Sequence, residues 1–307
     1  MKKYLVFSVL SLILAIVWGG QVAAQNPEVV AKPSFIALTP GQYVHGWPAF
    51  TVSYPKEWAV QPLFPGEVFR VGAPRPSLPP LPILAIAAFL NPADISGSAN
   101  ILAGVFRQSG GKDIKVLYTK PSQLQDGTPA QESEIEWVLP NGVKFNTFLL
   151  VTKKDNIWIL VDLHNDQGMI GDDLKRIVYS LKVPQGKDES VEIPRDVRDF
   201  LDKWCADVVS HDADRIMANF SDQFLNSGAK KAGLDQFFRN NPFSPIQRGT
   251  ISCEPTVTVF EAQGDKAYVD GFNLEKSKGD ANPIKMPMSF QQIIKENDQW
   301  KWYGNQK

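Results

Sequence analysis

Apolar residues recur along this chain with two periods, and the changes between them divide it. Residues 4–18 are a nearly unbroken apolar run in which only Ser8 and Ser11 are polar. Short stretches of period two follow. Phe50–Tyr54 alternates and stops at Pro55, Val68–Val71 comes next, and Ile83–Leu90 is apolar enough for a buried strand. Residues 97–109 show helical spacing, with Ile101, Leu102, Val105 and Phe106 on one face, and Gly110-Gly111 ends them. Three strands then run in series: Glu132–Leu139, Val143–Thr152 and Ile157–Leu163. Pro140-Asn141-Gly142 and Lys154-Asp155-Asn156 form the turns between them. A helix over 172–181 would bury Leu174, Ile177, Val178 and Leu181.

Residues 185–193 are polar and broken by Pro and Gly, which predicts a linker. Beyond it, Val197, Phe200, Leu201, Trp204, Cys205, Val208 and Val209 recur on one face of a helix over 195–210, with Pro194 at its start. His211-Asp212-Ala213-Asp214 ends that helix and caps the next, expected over 215–225. A short helix at 234–239 precedes four strands, near 250–262, 266–275, 285–296 and 299–303. In the first of these, Ile251, Cys253, Val257 and Val259 share a face by alternation.

The first apolar run is too short to span a bilayer comfortably. Lys2 and Lys3 precede it, and Val22-Ala23-Ala24 follows it, so residues 1–24 read as a signal peptide cut before Gln25. Residues 25–33 read as a tether. No later apolar run is long enough to be a membrane span, so the mature chain is expected in the periplasm or secreted. The 307 residues suggest two domains, and the formal charge of −1 supplies no field to hold nucleic acid. The proline-dense stretch from Pro74 to Pro82 predicts an exposed loop, because proline cannot donate to a ladder.

Two resemblances follow. Ser53-Tyr54-Pro55-Lys56-Glu57-Trp58 opens a meander closed by a helix ending in Ser180-Leu181-Lys182-Val183, which resembles the PsbP/Mog1-like fold over about 34–184. That resemblance implies binding or assembly more than catalysis. Phe200–Trp204, His211–Asp214, Phe220–Leu225 and the tail Trp300–Gly304 resemble an NTF2-like (SnoaL-like) domain over 194–307. The expected fold class is therefore α+β: an antiparallel sheet with flanking helices, then an α+β cone. Function cannot be inherited from such a cone. In one, the first helix packs on the concave face of the sheet, so the resemblance implies a Cys205–Cys253 disulfide.

Candidate chemistry is sparse. His45, His164 and His211 have no second His or Cys at metal-ligand spacing, and no phosphate-binding loop or nucleophile elbow occurs, so no metal or cofactor is expected. His164-Asn165-Asp166 reads as a turn after a strand. Asn219-Phe220-Ser221 is a glycosylation sequon inside an expected helix. A pocket enzyme needs an acid or base. Asp270 is the best candidate, with Gln292 and Tyr303 beside it, although Ala267, Val269 and Gly271 look like the inward set and would leave Asp270 on the solvent face.

The sequence favours an exported, non-enzymatic envelope protein that binds another protein or a small apolar ligand. The alternative is an isomerase, dehydratase or hydrolase using the cone. A cone filled with Trp and Phe would favour the first, and convergent polar groups in a cavity the second.

Overall fold

A computed structural model describes residues 41–306 except 64–66, 76–80, 92, 109, 167, 187, 227 and 289. The expected leader, the tether and the core of the proline-dense loop lie outside the described residues. The chain divides into two compact units. The described part of unit 1 is 41–45 and 49–185, and that of unit 2 is 46–48 and 186–306. Both units mix helix with a dominant antiparallel sheet.

Unit 1 opens with a hairpin of β1 (Gln42–His45) and β2 (Phe50–Ser53). Its large sheet contains β3 (Ala59–Val60), β4 (Glu67–Gly72), β5 (Ile83–Leu90), β6 (Lys112–Gln123), β7 (Pro129–Val138), β8 (Lys144–Lys154) and β9 (Ile157–Asn165). Their order is β3-β4-β5-β9-β8-β7-β6. Two helices cover it. α1 (Ser98–Gln108) buries Leu102, Val105 and Phe106 against Ile135, Trp137, Leu149, Trp158 and Leu160. α2 (Asp172–Val178) and the β1–β2 hairpin cover the opposite face, where Val52, Phe69, Phe148, Leu150, Val161, Val178 and Leu181 meet. With both faces buried, the centres of β8 (148–151) and β9 (157–161) read as unbroken apolar runs.

The local chemistry explains the boundaries. Gly110, at φ +82°, donates to Arg107 O, and Gly111 N donates to Phe106 O, a paired closure that satisfies the last carbonyls of α1. α2 is shorter than expected and ends at Val178. Leu181 still reaches the core because Lys182 and Thr51 exchange backbone hydrogen bonds. β6 was not anticipated: it lies at the sheet edge and is exposed along most of its length.

Unit 2 begins with α3 (Arg195–Ser210), followed by α4 (Ala213–Ala218), the short pair β10 (Leu225–Asn226) and β11 (Ala229–Lys230), α5 (Lys231–Asn240) and α6 (Pro245–Arg248). A sheet of β12 (Thr250–Gln263), β13 (Lys266–Ser277), β15 (Gln292–Glu296) and β16 (Gln299–Trp302) follows, in that order, with β14 (Ile284–Pro287) also paired to β13. His211 adopts φ +57° at the end of α3, and Asp212 accepts from Asp214 N and Arg215 N, the cap the sequence implied.

Three expected details of the helices and strands differ here for local reasons. α4 stops at Ala218 rather than 225, because the Asn219 side chain turns back to Arg215 O and Phe220 bridges to Trp302. The strand expected over 285–296 is two strands, β14 and β15. Register shifts at Thr250/Ser252 and Val257/Val259 break the alternation in β12, leaving Ile251 53% exposed instead of sharing a buried face with Val257. Within 185–193, the stretch read as a linker, Asp188 pairs with Lys285 and Val191 N donates to Val257 O.

Candidate functional site

Asp270 lies on the outer face of β13, while Ala267 and Val269 face the helices. The expected parity is right, but the solvent exposure that parity implied is not: Asp270 is 1% exposed. Residues 46–48, also part of unit 2, cover it. Trp47 N donates to Asp270 Oδ2 at 3.3 Å, and the Trp47 ring lies 5.0 Å from that of Phe272. A Cβ on Gly46 would stand 2.4 Å from Oδ2, so only glycine permits this approach. Tyr268 Oη (3.0 Å) and Gln291 Nε2 (3.3 Å) also donate to Oδ2, and Gly271 N donates to Oδ1 at 2.8 Å. Burial lifts the carboxyl to about 7, against these four hydrogen bonds, which lower it.

The other two candidates share that outer side of the sheet. Gln292 stands opposite Tyr268 in the β13–β15 register, and Gln291, not Gln292, reaches Asp270. Tyr303 follows the inward Trp302, and Lys266 Nζ sits 5.0 Å from its ring centre. None of the three points into the interior between helices and sheet.

That interior is aromatic. Trp204, Phe220, Phe224, Phe238, Phe290 and Trp302 pack mostly edge to face, with ring centres 5.0–6.1 Å apart. Next to them Cys205 and Cys253 are disulfide-bonded, joining α3 to β12. An open groove of about 460 Å³ lies over the bond, flanked by Asp202, Glu254 and Pro255. The sequon has no room for a glycan: Asn219 is buried, and its amide is bonded to Asp207.

Unit 1 holds two polar networks that sequence reasoning missed. In the first, His164 is not in a turn but inside β9. Its Nε2 lies 2.9 Å from Asp162 Oδ2, its Nδ1 lies 2.8 Å from Thr147 Oγ1, and Trp137 Nε1 donates to that hydroxyl at 3.0 Å. Asp–His–hydroxyl is the order of a nucleophile relay. Here, however, Thr147 is wholly buried, and the rings of Trp137 and Phe106 pack edge-on against His164, so the chain serves to satisfy buried polar groups. The signal was present in the sequence as polar residues two apart, Asp162 and His164, within an apolar strand.

The second network lies under α2. Glu132 pairs with Lys120 at 2.9 Å and accepts from Tyr179 Oη. Glu134 pairs with Lys175 at 3.3 Å, and Lys175 Nζ also reaches Tyr118 Oη at 3.4 Å. Burial disfavours the Lys175 ammonium, yet the Glu134 and Tyr118 oxygens together hold its pKa above the ordinary value. Glutamates at alternate positions of β7 were the available signal. Among the described residues, no group of three or more His, Cys, Asp or Glu could hold a metal, and no helix is long and apolar enough to cross a membrane.

No protein-family model matches the chain, and no curated protein matches it in sequence. Several solved structures are similar to it. The solution structure of cyanobacterial PsbP (CyanoP) from Synechocystis shares 13% identity over 47% of this chain and 91% of that one, at a TM-score of 0.39. A crystal structure from Bacteroides thetaiotaomicron shares 12% over 86% of this chain and 89% of that one, at 0.35. A Pseudomonas aeruginosa protein of unknown function shares 10% over 41% and 81%, at 0.26. Likeness at this level assigns the chain neither a family nor an activity.

Proposed function

We propose that this is an exported, non-enzymatic protein of the bacterial envelope that binds another protein or a small apolar ligand, built from a PsbP/Mog1-like unit and an NTF2-like unit. The observation that carries this reading is the filling of unit 2. A pocket enzyme needs an acid or base facing a cavity. The space between α3 and the sheet is occupied by aromatic side chains, and Asp270, Gln292 and Tyr303 all lie on the other side of that sheet. The PsbP/Mog1-like part of the reading draws on Tyr54, Trp58, Leu181 and Val183, which carry the sequence resemblance and are all core residues of unit 1. The disulfide supports an oxidising compartment, and the Lys2-Lys3 leader supports export.

The second reading, an enzyme of the isomerase, dehydratase or hydrolase type, is favoured by one observation: a buried carboxyl titrating near neutrality is a common property of general acids and bases. The cover of residues 46–48 over that carboxyl argues against it. Expression of the full chain in a Gram-negative host, followed by fractionation and intact-mass measurement, tests export. The expected product is a periplasmic protein lacking residues 1–24. Crosslinking in that compartment, followed by reconstitution with the purified partner, tests binding. Turnover of a small substrate that disappears in Asp270→Asn would reverse the assignment in favour of the enzyme.

A further inference from the structure

In unit 2, the groove over the Cys205–Cys253 bond follows one edge of the sheet. One wall is a single face of α3, carrying Asp202, Cys205, Ala206 and Val209 at helical spacing, and the other is the consecutive stretch 252–255 of β12. Among the described residues β12 is the end strand of its sheet, so this second wall is a backbone edge. The disulfide ties the two walls together, and the groove is formed before anything enters it. Side chains mark both ends: His211 Nε2 lies 2.7 Å from Thr250 O, and Arg198 Nη1 donates to Pro255 O at 3.3 Å. The strand between those ends is about 16 Å long, the span of a five-residue segment.

The backbone along that edge is open at its middle. Pro255 O accepts from Arg198 and Val257 O accepts from Val191 N, so alternate carbonyls of β12 point away from β13. The register is regular from Cys253 to Val257, so the N–H and C=O of Cys253 point the same way. Among the described residues, no hydrogen bond off the sheet reaches either group.

We infer that this groove receives an extended, basic segment of a partner protein, which adds a strand to β12 at Cys253 and sets its cations against Asp202 and Glu254. The inference rests on the protein-binding reading above and says where the partner is held and by what chemistry.

Charge selects the occupant. Among the described residues, two acidic and no basic residues line the groove, and neither the Asp202 nor the Glu254 carboxylate has an ion pair or hydrogen bond. Lys276, opposite Ser252 on β13, lies outside the lining. By alternation Cys253 faces α3 and Glu254 faces the outer side of the sheet. In an added antiparallel strand, the residue opposite Cys253 exchanges two backbone hydrogen bonds with it. Its side chain then runs over Ala206 and Val209 toward Asp202, a path that suits the apolar stem and charged head of Lys or Arg. The next residue stands beside Glu254, where a cation makes an opposite-charge cross-strand pair. Main-chain bonds supply the affinity of such an added strand, and alternate side chains supply its specificity.

The test uses the nitrogen-15-labelled protein with its disulfide intact. The probes are the blocked peptide acetyl-Thr-Lys-Lys-Val-Thr-amide and its counterpart with glutamate at both lysine positions. The lysine peptide should shift the Cys253 amide resonance downfield and saturably, and bind about fivefold or more tightly than the glutamate peptide. Methylating both lysine backbone nitrogens should abolish the shift. Asp202→Lys combined with Glu254→Lys, both exposed positions, should reverse the preference between the two peptides. An unmoved Cys253 amide, equal affinity for the two peptides, undiminished binding after methylation, or an unchanged preference in the double variant would each overturn the inference. A partner crosslinked through unit 1, with the Cys253 amide unmoved, would overturn the groove while the protein-binding reading stands; a shift at Cys253 supports both.

Discussion

The Cα atoms of Cys205 and Cys253 lie 5.1 Å apart, and the bond between their sulfurs closes a loop across 48 positions of sequence. On the chain-entropy account, a loop of that size stabilises by about 4 kcal/mol. Replacing both cysteines by serine should lower the unfolding free energy of unit 2 by up to that amount, as a drop in the urea midpoint. Thiol titration of the unfolded, unreduced protein should find no reactive sulfhydryl, and two would show the bond to be absent.

Asp207 is buried beneath three partners. Lys203 Nζ lies 2.7 Å from Oδ2, Asn219 Nδ2 lies 2.8 Å from the same oxygen, and Arg215 Nη2 lies 2.9 Å from Oδ1. Burial alone would raise its pKa. The Asn219 and Lys203 hydrogen bonds and the two cations outweigh that effect and hold it below the ordinary carboxylate value. A lowered carboxyl contributes stability above its unfolded pKa and loses it as the pH falls through the folded one. Unit 2 should therefore weaken in acid below about pH 4. Asp207→Ala should destabilise it at pH 7 by about 3 kcal/mol, because a polar network loses its centre. Chemical denaturation at pH 3, 5 and 7 checks both outcomes.

Thr147 is the link between Trp137 and His164. Thr147→Val keeps the shape but removes the hydroxyl, leaving an indole N–H and an imidazole nitrogen buried without a partner. The expected loss is about 1–3 kcal/mol in the stability of unit 1, with Thr147→Ser recovering most of it. Equal stability for Val and Ser would mean that the hydroxyl contributes nothing.

How much of this was legible depends on whether a residue's neighbours in sequence are also its neighbours in space. α3 was readable from end to end, because its apolar face repeats at helical spacing and ends at His211-Asp212. β6 was not. It carries Lys112, Lys115, Lys120 and Pro121 and is largely exposed, so it lacks the alternation that marks a strand. The relay in unit 1 was hidden because Thr147 and His164 become neighbours only through the β8–β9 register. The cover over Asp270 was beyond reach for the same reason: Trp47 and Asp270 are 223 positions apart, and no local pattern announces their meeting.

The same carboxyl predicts a stability profile of opposite slope to that of Asp207. Burial raises Asp270 from 3.8 to about 7, so its contribution is complete below pH 4 and is lost as the pH rises through 7. Asp270→Asn should flatten unit 2's loss of stability between pH 5 and 8. Thermal melts across that range, read at 222 nm, check it. A slope unchanged by the substitution would assign the effect to another group.

The rim that β6 forms among the described residues of unit 1 also bears on the chain's behaviour in company. An unpaired strand as long as β6 invites a stranger's backbone to zip onto it. Here the register slips between Lys112 and Lys115 and again between Val116 and Tyr118, Pro121 withholds one donor, and ammonium groups line the margin. A second copy laid against it would bring cation onto cation along an uneven seam. Among the described residues, the margin thus carries its own guard against fibril-like stacking when many copies crowd together.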